Sequence, residues 1–314
     1  MKTTKKWFIG ILIALLLLVF VNLLLATFFT PKMPTVLPEL ERPVQIAHQG
    51  GASLAPSNTM TAFDLAHALG TPVLDLDLHM TKDGHLVAIH DPTVNRTTNG
   101  TGSISNHTLK ELKNLDAGYK FTDLRGEHAY RGMGVTIPTL EEIFQTYGPD
   151  SFFNIEIKDD NPAGQIPQIE HKLWMLIQKY HLEHKVIINS FDDDIIRSFK
   201  QISHRQVALG ASRAEVKRFV ILSKLHLSGF YRPQANVLEI PVENSGVNLR
   251  DKHLIETAHR FNMQVYYWTI DDKKTMRELL NLGADGILTN RPDLLKEVVE
   301  EQKKKRQGGN AVVK

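Results

Sequence analysis

The hydrophobic pattern divides the chain into two unlike parts. From Trp7 to Phe29 apolar residues follow one another almost without break, and Asn22 is the only strongly polar member. As a helix this stretch is about 35 Å long, enough to cross a hydrocarbon core of roughly 30 Å with some tilt. Lys2, Lys5 and Lys6 precede it, whereas Lys32 alone follows closely. The positive-inside rule then keeps residues 1–6 in the cytoplasm and places the rest outside. A cleaved signal peptide is the alternative, with an apolar core of normally about 7–15 residues and a small-x-small exit. Here the core is longer and the exit reads Leu25-Ala26-Thr27-Phe28-Phe29, a poor cleavage site. The expectation is a single-pass membrane anchor over 7–29. Residues 30–42 carry Pro31, Pro34 and Pro38 and read as an extended spacer.

From Pro43 onward short apolar runs alternate with helix-length amphipathic segments. The runs Val44–Ala47, Val73–Leu78, Leu86–Ile89, Phe152–Ile157, Val186–Asn189, Gln206–Leu209, Val237–Ile240, Val265–Thr269 and Gly286–Thr289 read as strands. Asn58–Leu69, Gly164–His181, Asp192–Ile202, Asp251–Asn262 and Lys273–Leu282 read as helices between them. Such alternation argues for a parallel sheet covered by helices. Several strands are apolar throughout, as expected when both faces are buried. One such series over 43–300 suits an α/β fold of the TIM type, a (β/α)8 barrel, preceded by the transmembrane helix. The pattern offers nine strands for eight places. Thr81-Lys82-Asp83-Gly84 is too short for a parallel crossover, so the strands flanking it form a hairpin, one of them accessory to the barrel.

Composition narrows the function. Among 314 residues 42% are apolar and 23% charged, ordinary globular values. Lys+Arg is 37 against Asp+Glu 35, a net charge of +2, which does not suggest a nucleic-acid binder. The absence of cysteine excludes disulfides, thiolate metal sites and cysteine nucleophiles. Residues 301–314 form a basic tail in which Lys303–Arg306 is either solvated or in touch with anionic polymers or headgroups.

Candidate chemistry gathers at strand ends. Asp75 and Asp77 lie two apart and share one face of a strand. Two like charges flanked by apolar residues need a counter-charge, and either a bound cation or backbone amides at the strand end can supply it. Glu156, in Asn154-Ile155-Glu156-Ile157-Lys158, adds a third carboxylate and makes an all-oxygen site for Mg²⁺ or Ca²⁺ plausible, with a Glu156–Lys158 ion pair as the alternative. His48 and His90 each close a predicted strand, and two such histidines supply the acid and base that a hydrolysis needs near neutral pH. The remaining histidines, including His171, His181, His184, His204 and His259, fall mostly in helix or loop context and read as surface. Asn95–Gly102 resembles a phosphate loop only superficially, because it lacks the lysine and a leading strand; turns are the expectation.

Read in order, these motifs resemble the glycerophosphodiester phosphodiesterase family. They are His48-Gln49-Gly50, Pro56-Ser57-Asn58-Thr59, Asp75-Leu76-Asp77, Thr81–Gly84, His90-Asp91, Arg96–Gly102 and Glu156-Ile157-Lys158. Asn189–Asp192, Trp268-Thr269 and Gly283–Pro292 continue the match, which spans roughly Val44 to Leu295. The resemblance implies a TIM-type barrel, one divalent cation, Ca²⁺ or Mg²⁺, and hydrolysis of glycerophosphodiesters to glycerol 3-phosphate and an alcohol. It implies His48 and His90 as acid–base residues and Asp75, Asp77 and Glu156 as metal carboxylates. Gln49, Lys158 and Trp268 then fall at substrate-binding positions. Three positions depart from the family's pattern: Gln49 stands for arginine, Ser57 for glutamate, and Asp75 for glutamate. The implied substrate is a small glycerophosphodiester, a glycerophosphate polymer or a lysophospholipid, at a membrane the N-terminal helix reaches. A catalytically weakened module that binds glycerophosphate is the alternative.

Overall fold

A computed structural model describes residues 2–36 and 39–311. Met1, Pro38 of the spacer and residues 312–314 of the basic tail lie outside the described residues. The strands are β1 Val44–Ala47, β2 Val73–Met80, β3 Leu86–Ala88, β4 Phe152–Ile157, β5 Val186–Asn189, β6 Ala208–Leu209, β7 Val237–Ile240, β8 Glu243–Asn244, β9 Val247–Asn248, β10 Gln264–Tyr267 and β11 Gly286–Thr289. The helices are α1 Lys2–Phe28, α2 Met60–Ala68, α3 Leu109–Lys113, α4 Leu140–Tyr147, α5 Ile166–Lys179, α6 Asp193–Ile202, α7 Arg213–Lys224, α8 Lys252–Arg260, α9 Lys273–Leu282 and α10 Pro292–Ala311.

Eight parallel strands run in the order β6-β5-β4-β2-β1-β11-β10-β7. A parallel bridge between Gly210 and Val237 brings the two ends of that path together, giving the barrel. β3 pairs antiparallel with β2 outside this ring, Leu78 facing Ala88, so the surplus strand is the outer arm of the expected hairpin. Helix starts follow local capping chemistry. Thr59 accepts from the Ala62 amide, Thr139 and Glu142 form a capping box on α4, and Asp192, Ser212, Asp251 and Asp272 cap α6 to α9. The main core lies between helices and sheet, with Phe63, Leu76, Phe144, Ile155, Phe199 and Leu209 among its members. A smaller cluster of Val44, Ile46, Val73, Ile187, Val237, Tyr266 and Leu288 plugs the N-terminal end of the barrel.

The segment between α1 and the barrel is packed rather than free. The Met33 amide donates to Phe261 O at 2.9 Å, Asn262 Nδ2 donates to Met33 O at 2.8 Å, and Asn236 Nδ2 donates to Pro34 O at 3.0 Å. Val36 and Leu40 pack against the apolar plug. Asn236 directly precedes β7 and Asn262 lies two residues before β10, so the segment is stitched across the underside of the barrel. The basic run Lys303–Arg306 continues α10, and Lys303 pairs with Glu41 at 2.8 Å.

Candidate active site

Strand alternation builds the barrel interior in layers. Above the apolar plug the inward positions turn polar: Asp75 and Asp77 on β2, Asn154 and Glu156 on β4, Asn189 on β5, Glu239 on β7. β2 and β4 pair with Asp75 opposite Asn154 and Asp77 opposite Glu156. These residues line one cavity of about 210 Å³ at the C-terminal ends of the strands, together with His48, His90, Lys158, Phe191, Trp268 and Thr269.

His48 leaves β1 into a tight turn. There Gln49 has φ 53, a left-handed conformation uncommon for a residue with a side chain, and two bonds hold it. Its amide donates to Asp75 Oδ2 at 3.0 Å and its Nε2 donates to Asp77 Oδ2 at 2.9 Å. Gly50 follows at φ 80, where a Cβ would stand 2.7 Å from that of Ala62. His48 Nδ1 donates to Asn290 Oδ1 at 2.7 Å, and Asn290 Nδ2 donates to Asp271 Oδ2 at 2.8 Å. That second bond orients the amide, so its oxygen faces His48 and the imidazole presents Nε2 to the cavity.

His90 is held by a carboxylate instead. Its Nδ1 donates to Asp91 Oδ1 at 2.8 Å, and Lys158 Nζ stands 3.3 Å from its Nε2. Arg96 grips Asp91 through both oxygens at 2.7 and 2.9 Å, which pulls the Asp91 carboxyl down to about 2. Asn95–Gly102 forms turns, as expected.

The carboxylates are short of positive charge. Burial pushes the Asp75 carboxyl up, and neighbouring Asp77 adds to the effect. Burial, then Asp77, pushes Glu156 up to about 8. Lys158 lies 3.2 Å from Glu156 Oε1 and 3.7 Å from Asp77 Oδ1. Burial pulls its ammonium down, but the two carboxylates outweigh that and raise it. Glu156 Oε1 is buried and has no well-formed hydrogen bond. Asn58 completes the hold on Asp77: its Nδ2 donates to Oδ2 at 2.8 Å and its Oδ1 accepts from the Asp77 amide at 3.2 Å. Among the described residues no three His, Asp or Glu side chains converge closely enough to grip an ion as they stand. The chemistry of the donors nevertheless fits a hard divalent cation: the buried carboxylates of Asp75 and Asp77 with half-buried Glu156, proton affinity being raised at Asp75 and Glu156.

Of the residues singled out in the sequence, His48, Asp75, Asp77, His90, Glu156, Lys158 and Trp268 all line the cavity. Gln49 does not line it; its side chain lies behind Asp77 as a donor. Asn154, Asn189 and Glu239 were not anticipated. Asn154 Nδ2 donates to Asp75 Oδ1 at 2.8 Å, and Asn189 Nδ2 donates to Asn154 Oδ1 at 2.7 Å. Glu239 accepts longer bonds of 3.3 and 3.4 Å from the same two amides, and burial pushes it up to about 8. Position i−2 from Glu156 is the signal that marks Asn154. His79 is a further correction to the reading of the other histidines as surface. It is buried between Asn161 Oδ1 at 3.0 Å and the His90 carbonyl at 3.2 Å.

Residues 48–294 match the model of the glycerophosphoryl diester phosphodiesterase family. The chain belongs to that family. It is accordingly a phosphoric diester hydrolase. A glycerophosphodiester phosphodiesterase of Caldanaerobacter subterraneus is 36% identical over 260 residues, 82% of this chain and 97% of its own. One from Bacillus altitudinis is 31% identical over 262 residues, covering 82% and 98%. A lysophospholipase D of Rattus norvegicus is 26% identical over 307 residues, covering 87% and 93%. Among solved structures, an Oleispira antarctica phosphodiesterase in complex with the product sn-glycerol-3-phosphate superposes with TM-score 0.64 at 24% identity, covering 82% of this chain and 97% of that one. The corresponding domain of a Mycobacterium tuberculosis protein reaches TM-score 0.71 at 20% identity, covering 83% and 100%. These two likenesses carry the fold of the family.

Proposed function

We propose that this phosphodiesterase hydrolyses a glycerophosphodiester to glycerol 3-phosphate and an alcohol by acid–base catalysis between His48 and His90. In this reading the barrel faces outward from a membrane that α1 crosses. The observation that carries the chemistry is the convergence of both imidazoles on one cavity with three carboxylates and Lys158. Their Nδ1 atoms are engaged by Asn290 and Asp91, so both Nε2 edges face the cavity, that of His90 with Lys158 Nζ 3.3 Å away. One imidazole takes the proton of the attacking oxygen and the other returns a proton to the leaving alkoxide. The Lys158 ammonium offsets negative charge on the phosphoryl oxygens. Phe191 and Trp268, 6.1 Å apart edge to face, wall the apolar side on which the organic part of the ester rests.

Asp75, Asp77 and Glu156 would hold the divalent cation, Ca²⁺ or Mg²⁺. Bound there, it supplies Lewis-acid polarisation of a phosphoryl oxygen. Gln49 and Asn58 keep Asp77 in place, and Asn154 does the same for Asp75. The product bound to the Oleispira antarctica relative supports glycerol 3-phosphate as the product here.

The test is glycerol 3-phosphate release by the purified chain and its His48→Ala and His90→Ala variants. Each variant is expected to lose about 10²–10⁴-fold in kcat while remaining folded. Unchanged turnover in either would remove that histidine from the mechanism. A weakened binding module, the alternative that Gln49 motivates, would show no turnover in the parent chain and unaltered glycerophosphate affinity in His90→Ala.

A further inference from the structure

Asn22 is the one strongly polar side chain of the apolar stretch, and an amide facing lipid tails is costly unless it finds a partner. It finds one on the barrel. Asn22 Nδ2 donates to His226 O at 2.9 Å, and its Oδ1 accepts from the Gly229 amide at 2.9 Å. Asn22 is 5% exposed, whereas almost every other described residue from Lys6 to Val21 is exposed. The helix therefore touches the barrel only through its last turns. Gly229 is fitted to this contact: a Cβ there would lie 2.2 Å from Asn22 O and 3.0 Å from Ala26 N. The loop 225–230 joins α7 to the start of β7, so it belongs to the N-terminal face of the barrel, opposite the catalytic mouth.

Two further features mark the same face. Ile221 on α7 and Leu225 at its C-terminal cap, one turn apart and beside the docked loop, are 48% and 61% exposed. Lys304 and Lys305 are exposed on α10 just past Lys303, which pairs with Glu41 at that end of the barrel. Apolar side chains beside the anchor and lysines on the same face suit a lipid interface with anionic headgroups.

We infer that Asn22 and Gly229 lock the anchor to the underside of the barrel, so that the catalytic mouth points away from the bilayer. The inference rests on the phosphodiesterase reading and narrows its substrate class. The substrate is a phosphodiester presented from the aqueous side, a free headgroup diester or a glycerophosphate polymer, rather than a lysophospholipid of the same membrane.

The chain lacks cysteine, so single labels are clean. Leu225→Cys marks the underside; Val247→Cys, in the hairpin that follows β7, marks the mouth side. The full chain, labelled with a fluorophore, is placed in phosphatidylcholine–phosphatidylglycerol vesicles carrying a headgroup quencher. Quenching is expected to be about threefold greater at position 225 than at 247, as contact with the headgroup layer requires. Asn22→Leu, which keeps the helix apolar, is expected to erase that contrast, and Gly229→Val to do the same. Turnover of glycerophosphoglycerol is expected to be equal in vesicles and detergent, whereas lysophospholipid in the same vesicles is cleaved about tenfold more slowly than in mixed micelles. Equal quenching at both positions, a contrast that survives both variants, or faster lysophospholipid cleavage in vesicles would each overturn the inference. A chain that cleaves no phosphodiester yet keeps the quenching contrast would refute the functional reading and leave the docked orientation standing.

Discussion

Asn290 holds His48 through a 2.7 Å bond from imidazole Nδ1 to amide Oδ1, and Asp271 orients that amide from behind. The three side chains come from the ends of β1, β11 and the turn after β10, so the orientation of His48 is a property of the closed barrel. Asn290→Ala removes the bond and frees the ring. Loss of roughly 1–1.5 kcal/mol of orientation corresponds to about a tenfold fall in kcat. KM for a glycerophosphodiester should stay within a factor of about two, because Asn290 does not line the cavity. A fall in affinity with kcat intact would instead make Asn290 a substrate contact.

The barrel was legible because both-face burial makes its strands continuous apolar runs. β1, β4, β5, β7 and β11 begin and end where those runs do. β6 is only Ala208–Leu209, shorter than the run Gln206–Leu209, because pairing with β5 involves just those two residues. The hairpin β8–β9 left no signal, being two exposed two-residue strands. Asp75, Asp77 and Glu156 stood out as polar residues inside apolar strands, and His48 and His90 as histidines just past strand ends. Glu239 stands out in the same way, in Val-Leu-Glu-Ile, but nothing near it in the chain supplies a partner; Asn154 and Asn189 arrive from β4 and β5. The packed spacer was illegible for the same reason, since Asn236 and Asn262 lie some 200 residues from the backbone they bind.

That packing sets where α1 can be removed. Met33 is buried, and three hydrogen bonds tie Met33 and Pro34 to the underside. A domain beginning at residue 30 should retain them, whereas one beginning at residue 39 loses them. The expected difference is roughly 3 kcal/mol from one buried methionine and its backbone bonds, or about 6–12 °C in Tm. Equal melting temperatures by calorimetry would show that the segment contributes nothing to the fold.

Glu156 and Glu239 both bear on the pH dependence of the metal-free chain. Both carboxyls are pushed up to about 8 from an ordinary 4.5, chiefly by burial. The folded state therefore holds more protons than the unfolded state between those values. Stability is greatest below about pH 4.5 on this account and falls as pH rises towards 8. Glu239→Gln should flatten part of the slope. Added Ca²⁺ or Mg²⁺ should raise Tm most at the alkaline end, where Glu156 is most readily ionised. Stability that rises from pH 5 to 8 in EDTA would contradict both assignments.

The family resemblance implies an arginine at position 49 and a glutamate at position 57, where this chain has Gln49 and Ser57. Gln49 already donates to Asp77, so an arginine there without a carboxylate at position 57 would pair with Asp77 rather than with a phosphate. Gln49→Arg with Ser57→Glu should raise kcat/KM more than Gln49→Arg alone, by about tenfold if one charge-assisted phosphate contact is recovered. Equal effects would show that the two positions are not a pair.

The most direct test of the account is glycerol 3-phosphate release from glycerophosphocholine and from polyglycerol phosphate by the full chain. It is run with Ca²⁺, with Mg²⁺ and with EDTA, beside Asp77→Asn. The account predicts release that EDTA abolishes, that one of the two ions restores, and that Asp77→Asn lowers by at least about a hundredfold. Release that persists in EDTA and in Asp77→Asn would contradict the carboxylate site at its centre.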